Sequence, residues 1–374
     1  MGIDTTNWIN SIWDKIEKKL EYTSHNTECE FPYTTENGKF VEHSSKDINY
    51  WTNGFWAGIL WLMYQATNDE FYKEKADSIE DKLDTALYGY WGLSHDVGFM
   101  WHLSSVANYR ITGKKQSLTR GIIAANYLSG RYHAVGGFIK AWGNRGYQYY
   151  NAIIDCMMNL PLLYWASEET EDPRYKFIAE NHADTVIKTF IREDGSVNHI
   201  NLYNSETGEF IDSEGGQGYQ KGSSWTRGQA WAIYGFILSY IHTKKERYLN
   251  AAKRVAHYFM AALAATGEFV PNCDFRAPKE PVYKDTTAGV IAACGLIEIS
   301  KVVPEYEQSM YLDFALMILK ETEEKYADWT EEEASIIQMG TEAYERGHNV
   351  PIIYGDYYFI EAILKLKGSD IFMW

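Results

Sequence analysis

Six stretches of this chain are nearly free of charge, rich in small and aromatic residues, and of helical length. They are GFWAGILWLMYQAT (54–67), VGFMWHLSSVANYRITG (97–113), IIDCMMNLPLLYWAS (153–167), RGQAWAIYGFILSYIH (227–242), TAGVIAACGLIEISK (287–301) and GDYYFIEAILKLKG (355–368). A helix that is apolar nearly all round has no side to give to water, so it must be enclosed by other helices. None of these stretches approaches the length needed to span a membrane. The enclosure therefore has to come from the chain itself.

The segments between them supply it. They are amphipathic and charged: 69–87, 115–132, 172–191, 245–263 and 306–327, with the N-terminal stretch 7–22 as the sixth. In the fourth, Tyr248, Ala252, Val255 and Phe259 recur at steps of three and four, which marks one buried face. Six enclosed helices alternating with six surface helices predict an all-α (α/α)6 barrel of six inner and six outer helices. No linker composition interrupts it, so residues 1–374 read as a single domain. The stretches 192–212 and 213–224 read as loops or a short hairpin over one mouth.

Charge narrows the partners. Against 51 Asp and Glu stand 35 Lys and Arg, a net charge of −16, which disfavours nucleic acid, anionic membrane surfaces and long polyanions. Aromatics form 16% of the chain, suited to packing and to sugar-binding walls alike. Cys29, Cys156, Cys273 and Cys294 show no CxxC pattern, so neither a zinc ribbon nor a disulfide framework is expected. The start MGIDTTNWIN lacks the basic and apolar regions of a secretion signal. It matches a myristoylation pattern, but no polybasic segment adjoins it. A cytoplasmic protein without metal or cofactor is the expectation.

Two carboxylates stand out. Asp96, in SHDVGFMWHL, precedes the second apolar segment, and Asp155 lies inside the third. In the barrel they fall at the starts of successive inner helices, at one end. Each is either a helix cap or half of a carboxylate pair suited to glycoside chemistry. Further on, GQGYQKGSSWTRGQAW (216–231) gathers Gln217, Trp225, Arg227 and Trp231. Arg227, opening a buried helix, is shaped either to grip a ligand carboxylate or to pair with an aspartate at the rim. Trp51 and Trp142 are candidates for sugar stacking. His95 and His102 share a helical face, a spacing too sparse for a metal site.

Jointly, WTNGFWAGILWL, HDVGF, IIDCMMNLPLL, SSWTRGQAWAIYGF, DTTAGVIAACGLIEIS and YGDYYFIEAILKL resemble the unsaturated glucuronyl hydrolases of glycoside hydrolase family 88. The resemblance covers nearly the whole chain, in order. It implies the (α/α)6 barrel and release of a Δ4,5-unsaturated glucuronic acid from the non-reducing end of lyase-generated oligosaccharides, glycosaminoglycan disaccharides among them. It implies Asp155 as general acid and base, Asp96 as the second essential carboxylate, and His95 beside it. Trp51 and Trp142 would line the sugar site; His199, Gln217, Trp225, Arg227 and Trp231 would contact the uronate or its surroundings. Asp155 would begin protonated, with a negative Asp96 helping to keep it so. Gly216 and Cys273 depart from the family pattern, which usually has bulkier or aromatic side chains there. The rival readings are an unsaturated rhamnogalacturonyl hydrolase on pectin fragments, a sugar epimerase built on paired histidines, and a non-catalytic sugar-binding protein.

Overall fold

A computed structural model describes residues 3–142, 148–369 and 373–374 of the chain. Met1 and Gly2 of the myristoylation pattern, and Gly143 and Asn144 beside Trp142, lie outside the described residues. In chain order the helices are α1 (Ile3–Asn26), α2 (Phe55–Thr67), α3 (Glu70–Gly89), α4 (Val97–Trp101), α5 (Ala107–Thr112), α6 (Lys115–Ser129), α7 (Leu160–Thr170) and α8 (Pro173–Thr189). Then come α9 (Thr226–Thr243), α10 (Glu246–Ala264), α11 (Thr286–Val302), α12 (Glu305–Tyr326) and α13 (Ile353–Leu366). A π-helical turn, His102–Val106, joins α4 to α5.

The inner ring is α2, α4–α5, α7, α9, α11 and α13, each packed on the next, and α13 closes back on α2. Outside it α3 packs on α2, α6 on α4, α8 on α7, α10 on α9, α12 on α11 and α1 on α13. This is the (α/α)6 barrel that the alternation of segments predicts. The burial follows the same logic. Every residue of α9 from Thr226 to Ser239 is buried, whereas α10 buries the face of Tyr248, Ala252, Val255 and Phe259. Each fully enclosed Leu, Ile or Phe contributes about 1.5–3 kcal/mol. Asp69 and Asp172 cap α3 and α8 by accepting from the backbone N–H of Phe71 and Arg174. Among the described residues no helix is long and apolar enough to cross a membrane.

The strands depart from the helical reading. A hairpin, β1 (Pro32–Glu36) with β2 (Lys39–Glu42), follows α1. A two-residue pair, β3 (Tyr132–His133) with β4 (Phe138–Ile139), follows α6. A three-stranded antiparallel sheet joins β5 (Tyr149–Ile153), β6 (Ile200–Asn204) and β7 (Phe210–Glu214). The hairpin expected within 192–224 is β6–β7. The third apolar segment is not helical from 153: it leaves β5, passes through a 3₁₀ turn at Ile154–Met158, and becomes α7 only at Leu160. Pro161, in the first turn of α7, suits a helix start because its missing N–H would have no partner there.

Candidate active site

The 3₁₀ turn carries Asp155, and Asp96 stands just before α4. Neither side chain caps a helix, so the capping alternative fails for both. Asp96 accepts from Ser94 Oγ (3.1 Å) and Asn159 Nδ2 (3.3 Å). Asn159 also donates to the Asp155 carbonyl (3.4 Å) and accepts from Phe99 N–H (2.9 Å). One side chain therefore ties both aspartate segments together. Asn159 was not among the residues picked from the sequence, although it lies four after Asp155, one helical turn on.

Burial, reinforced by the charge of Asp155, pushes Asp96 up to about 7, while the bonds from Ser94 and Asn159 pull the other way. Two carboxylates in one buried site resist ionising together. His95 Nε2 lies 3.3 Å from Asp96 Oδ2. Full burial holds its imidazole well below the usual histidine range, so it is neutral.

Pairing of β5 with β6 brings His199 to Asp155. Ile153 is opposite Ile200, and Ile154 N–H donates to the His199 carbonyl at 3.0 Å. The His199 ring then sits with Nε2 3.5 Å from Asp155 Oδ2. Its Nδ1 accepts from Gln217 N–H at 3.0 Å, which puts the ring proton of the neutral form on Nε2, facing the carboxylate. Gly216 makes this approach possible. It has φ +59°, and a Cβ there would lie 2.0 Å from His199 Nδ1. The departure at Gly216 thus has a local cause in the histidine above it.

A cavity of about 350 Å³ opens beside the pair, lined by Tyr50, Trp51, Trp142, His199, Gln217 and Arg346 among others. Trp142, on the wall, has its ring 6.5 Å from that of His95, the neighbour of Asp96, and His199, also on the wall, reaches Asp155. Tyr33 and Tyr354 also line it; these two, with Tyr50 and Arg346, were missed. Tyr33 comes from the β1–β2 hairpin and Arg346 from the loop before α13, and no local pattern announces that either folds back over the mouth.

Other picks lie behind the wall. Trp231 is fully buried and packs on Phe99 and Trp51. Trp225 is buried between the His199 ring (centroids 4.2 Å apart) and the Arg227 guanidinium (4.6 Å). Arg227, at 1% exposure, pairs with Asp285 Oδ2 (2.5 Å) and donates to the carbonyls of Thr341 (2.6 Å) and Glu342 (2.5 Å). The rim-pair alternative holds, and direct grip on a ligand carboxylate is corrected, because the guanidinium is committed to the 341–342 loop. Gln217 Nε2 joins it by donating to the Glu342 carbonyl (2.7 Å). Cys273 is buried outside the cavity wall. His102 is fully buried and stacked on Trp374, so it does not converge with His199 as an epimerase would need.

The chain is similar to known proteins along most of its length. Residues 23–264 match the family model described as Glycosyl Hydrolase Family 88. An unsaturated glucuronyl hydrolase of Bacillus sp. (strain GL1) is 37% identical over 355 residues, 92% of this chain and 93% of that protein. An unsaturated chondroitin disaccharide hydrolase of Streptococcus agalactiae is 35% identical, covering 88% of this chain and 84% of its own. The crystal structure of unsaturated glucuronyl hydrolase from Streptococcus agalactiae superposes with TM-score 0.90 at 32% identity, covering 98% of this chain and 94% of that one. With a family match of that extent and relatives aligned over most of its length, the chain belongs to Glycosyl Hydrolase Family 88.

Proposed function

We propose that this family member releases a Δ4,5-unsaturated glucuronic acid from the non-reducing end of lyase-generated oligosaccharides, and that Asp155 is the acid and base of the reaction. The observation that carries the assignment is the setting of Asp155 Oδ2. It is buried without a hydrogen-bond partner among the described residues, 3.5 Å from His199 Nε2 and next to a carboxylate held at about 7. A buried polar oxygen left unpaired is uncommon and calls for a reason. Here the reason is a proton to deliver.

The substrate's C4=C5 bond is an enol ether. As the acid of the reaction, Asp155 passes a proton from its unpaired oxygen to C4, leaving oxocarbenium character at C5. The resulting Asp155 carboxylate then takes a proton from the water that adds at C5. The hemiketal formed there opens and releases the next sugar. His199 Nε2–H supports the charged form of Asp155, and Asn159 fixes the spacing of the pair. Trp51 and Trp142 offer flat faces to the sugar rings.

The substrate class rests on relatives: one neighbouring structure carries a dGlcA-GalNAc6S disaccharide, and another a four-sugar chain, dGlcA-Glc-Rha-Glc. For this chain we take unsaturated glycosaminoglycan-type disaccharides and longer homologues as substrates. The four free cysteines suit the reducing cytoplasm. The test is a panel of lyase-generated disaccharides followed by loss of the alkene's ultraviolet absorbance. At least one should be consumed, and a saturated 4-nitrophenyl glucuronide should not. Cleavage of the saturated compound alone would overturn the reading.

A further inference from the structure

We propose that Trp91 is an outer sugar-binding subsite at the cavity rim, serving the sugar beyond the first two; this rests on the oligosaccharide reading above. At 91% exposure Trp91 is the most exposed large hydrophobic side chain among the described residues. A single exposed aromatic is by itself ordinary. Three features set this one apart.

The first is its backbone. Tyr90, immediately before it, has φ +63° and ψ −52°, a conformation a side chain rarely adopts and which persists only where the surroundings enforce it. The enforcement is visible. The Tyr90 ring packs edge-on against Tyr127 (centroids 4.9 Å apart), and the Tyr127 hydroxyl donates to the Leu93 carbonyl at 2.5 Å. Tyr90 stays half exposed on that ring, and the next residue stands out in solvent. Among the described residues the one ring contact of Trp91 is edge-on with Tyr90, 5.5 Å between centroids.

The second is the segment it stands on, tied on both sides to stretches that lead into the cavity wall. On one side Gly92 abuts Asn49 so closely that a Cβ would lie 2.2 Å from Asn49 Nδ2. Asn49 leads directly into Tyr50 and Trp51 on the cavity wall. On the other side Arg131 donates to the Tyr127 hydroxyl (3.0 Å) and to the Ala141 carbonyl (2.7 Å). Ala141 precedes Trp142, also on the wall. Four residues after Gly92 the same segment delivers Asp96.

The third is chemistry. A substrate whose non-reducing sugar reaches the aspartate pair must leave its remaining sugars pointing out through this rim. Each presents an apolar ring face and a polar edge, which an exposed indole matches without any charged group. A chain of net charge −16 gains from such neutral contact with a uronate-bearing glycan, because charge pairing contributes little there.

The experiment compares kcat/KM on the Δ4,5-unsaturated disaccharide and tetrasaccharide released by a lyase from one unsulfated glycosaminoglycan. In Trp91→Ala the tetrasaccharide-to-disaccharide ratio should fall about three- to tenfold, through KM, and Trp91→Phe should restore most of it. An unchanged ratio overturns the subsite. If neither sugar is turned over, the functional reading fails, yet calorimetric binding of the tetrasaccharide still decides this proposal. Equal affinity in wild type and Trp91→Ala refutes it, and weaker binding by the same factor in the variant supports it.

Discussion

Replacing Asp155 by asparagine keeps the shape of the side chain but removes its ability to give and then take a proton. Turnover of an unsaturated disaccharide should fall by about 10²–10⁴-fold or more, with circular dichroism and thermal melting little altered. A variant checked for deamidation that keeps a tenth of wild-type activity would remove Asp155 from the role. Asp96 makes a prediction of opposite sign for stability. Its folded pKa is raised, to about 7 from 3.8, so the folded state binds the proton more tightly than the unfolded chain. Stability is therefore lost as pH rises between those two values. Asp96→Asn should melt higher than wild type at pH 8, by about 1–3 °C, and the difference should shrink toward pH 4, while activity falls. Wild-type kcat/KM should decline above about pH 7 as Asp96 ionises in the buried site. Gly216→Ala should cripple activity while sparing the barrel, since the new Cβ would displace the His199 ring. Of these residues the sequence displays Asp96, Asp155 and His199 through motif and order. Asn159 and Gly216 owe their importance to contacts 60 and 17 residues away, which no local pattern announces.

Among the elements, the six inner helices were legible because a helix without a polar face has one physical solution. The outer helices were legible because their apolar stripes have the period of a helix. What the reading missed is long-range pairing: β5 meets β6 across 47 residues, and that pairing, not the helix expected at 153, aims Asp155. The start of α9 shows the same limit. Arg at the head of a buried helix is visible in RGQAW, but its commitment to Asp285 and to the 341–342 loop depends on elements far along the chain. Arg227 therefore acts as a positioning residue. Removing one partner of such a buried pair leaves the other charge uncompensated, so Arg227→Ala should cost about 3–5 kcal/mol of stability, read by denaturant unfolding. Arg227→Lys keeps the charge but loses the multiple donors. It should melt below wild type, with any kinetic loss relieved by lowering the temperature. Wild-type stability in Arg227→Ala would show that the pair is not what holds the 341–342 loop.

On the scale of the whole molecule, aromatic side chains of α4, α9 and α13 pack on one another inside the barrel. There the last residue, Trp374, is fully buried against Phe99, His102, Tyr357 and Tyr358, and its indole N–H donates to Glu361 at 3.2 Å. Deleting Met373 and Trp374 should destabilise the barrel by about 3–5 kcal/mol, as truncating a core tryptophan does, measured as a lower thermal midpoint. The central claim is that the pair protonates an alkene carbon and leaves the anomeric carbon unattacked. An ordinary glycosidase would place its carboxylates at the anomeric centre. The most direct measurement is turnover of an unsaturated disaccharide in heavy water and in oxygen-labelled water, with the released uronate analysed by NMR and mass spectrometry. The account predicts one deuterium at C4, the water oxygen at C5 and loss of the double bond. Label at C1 with the double bond intact would contradict it.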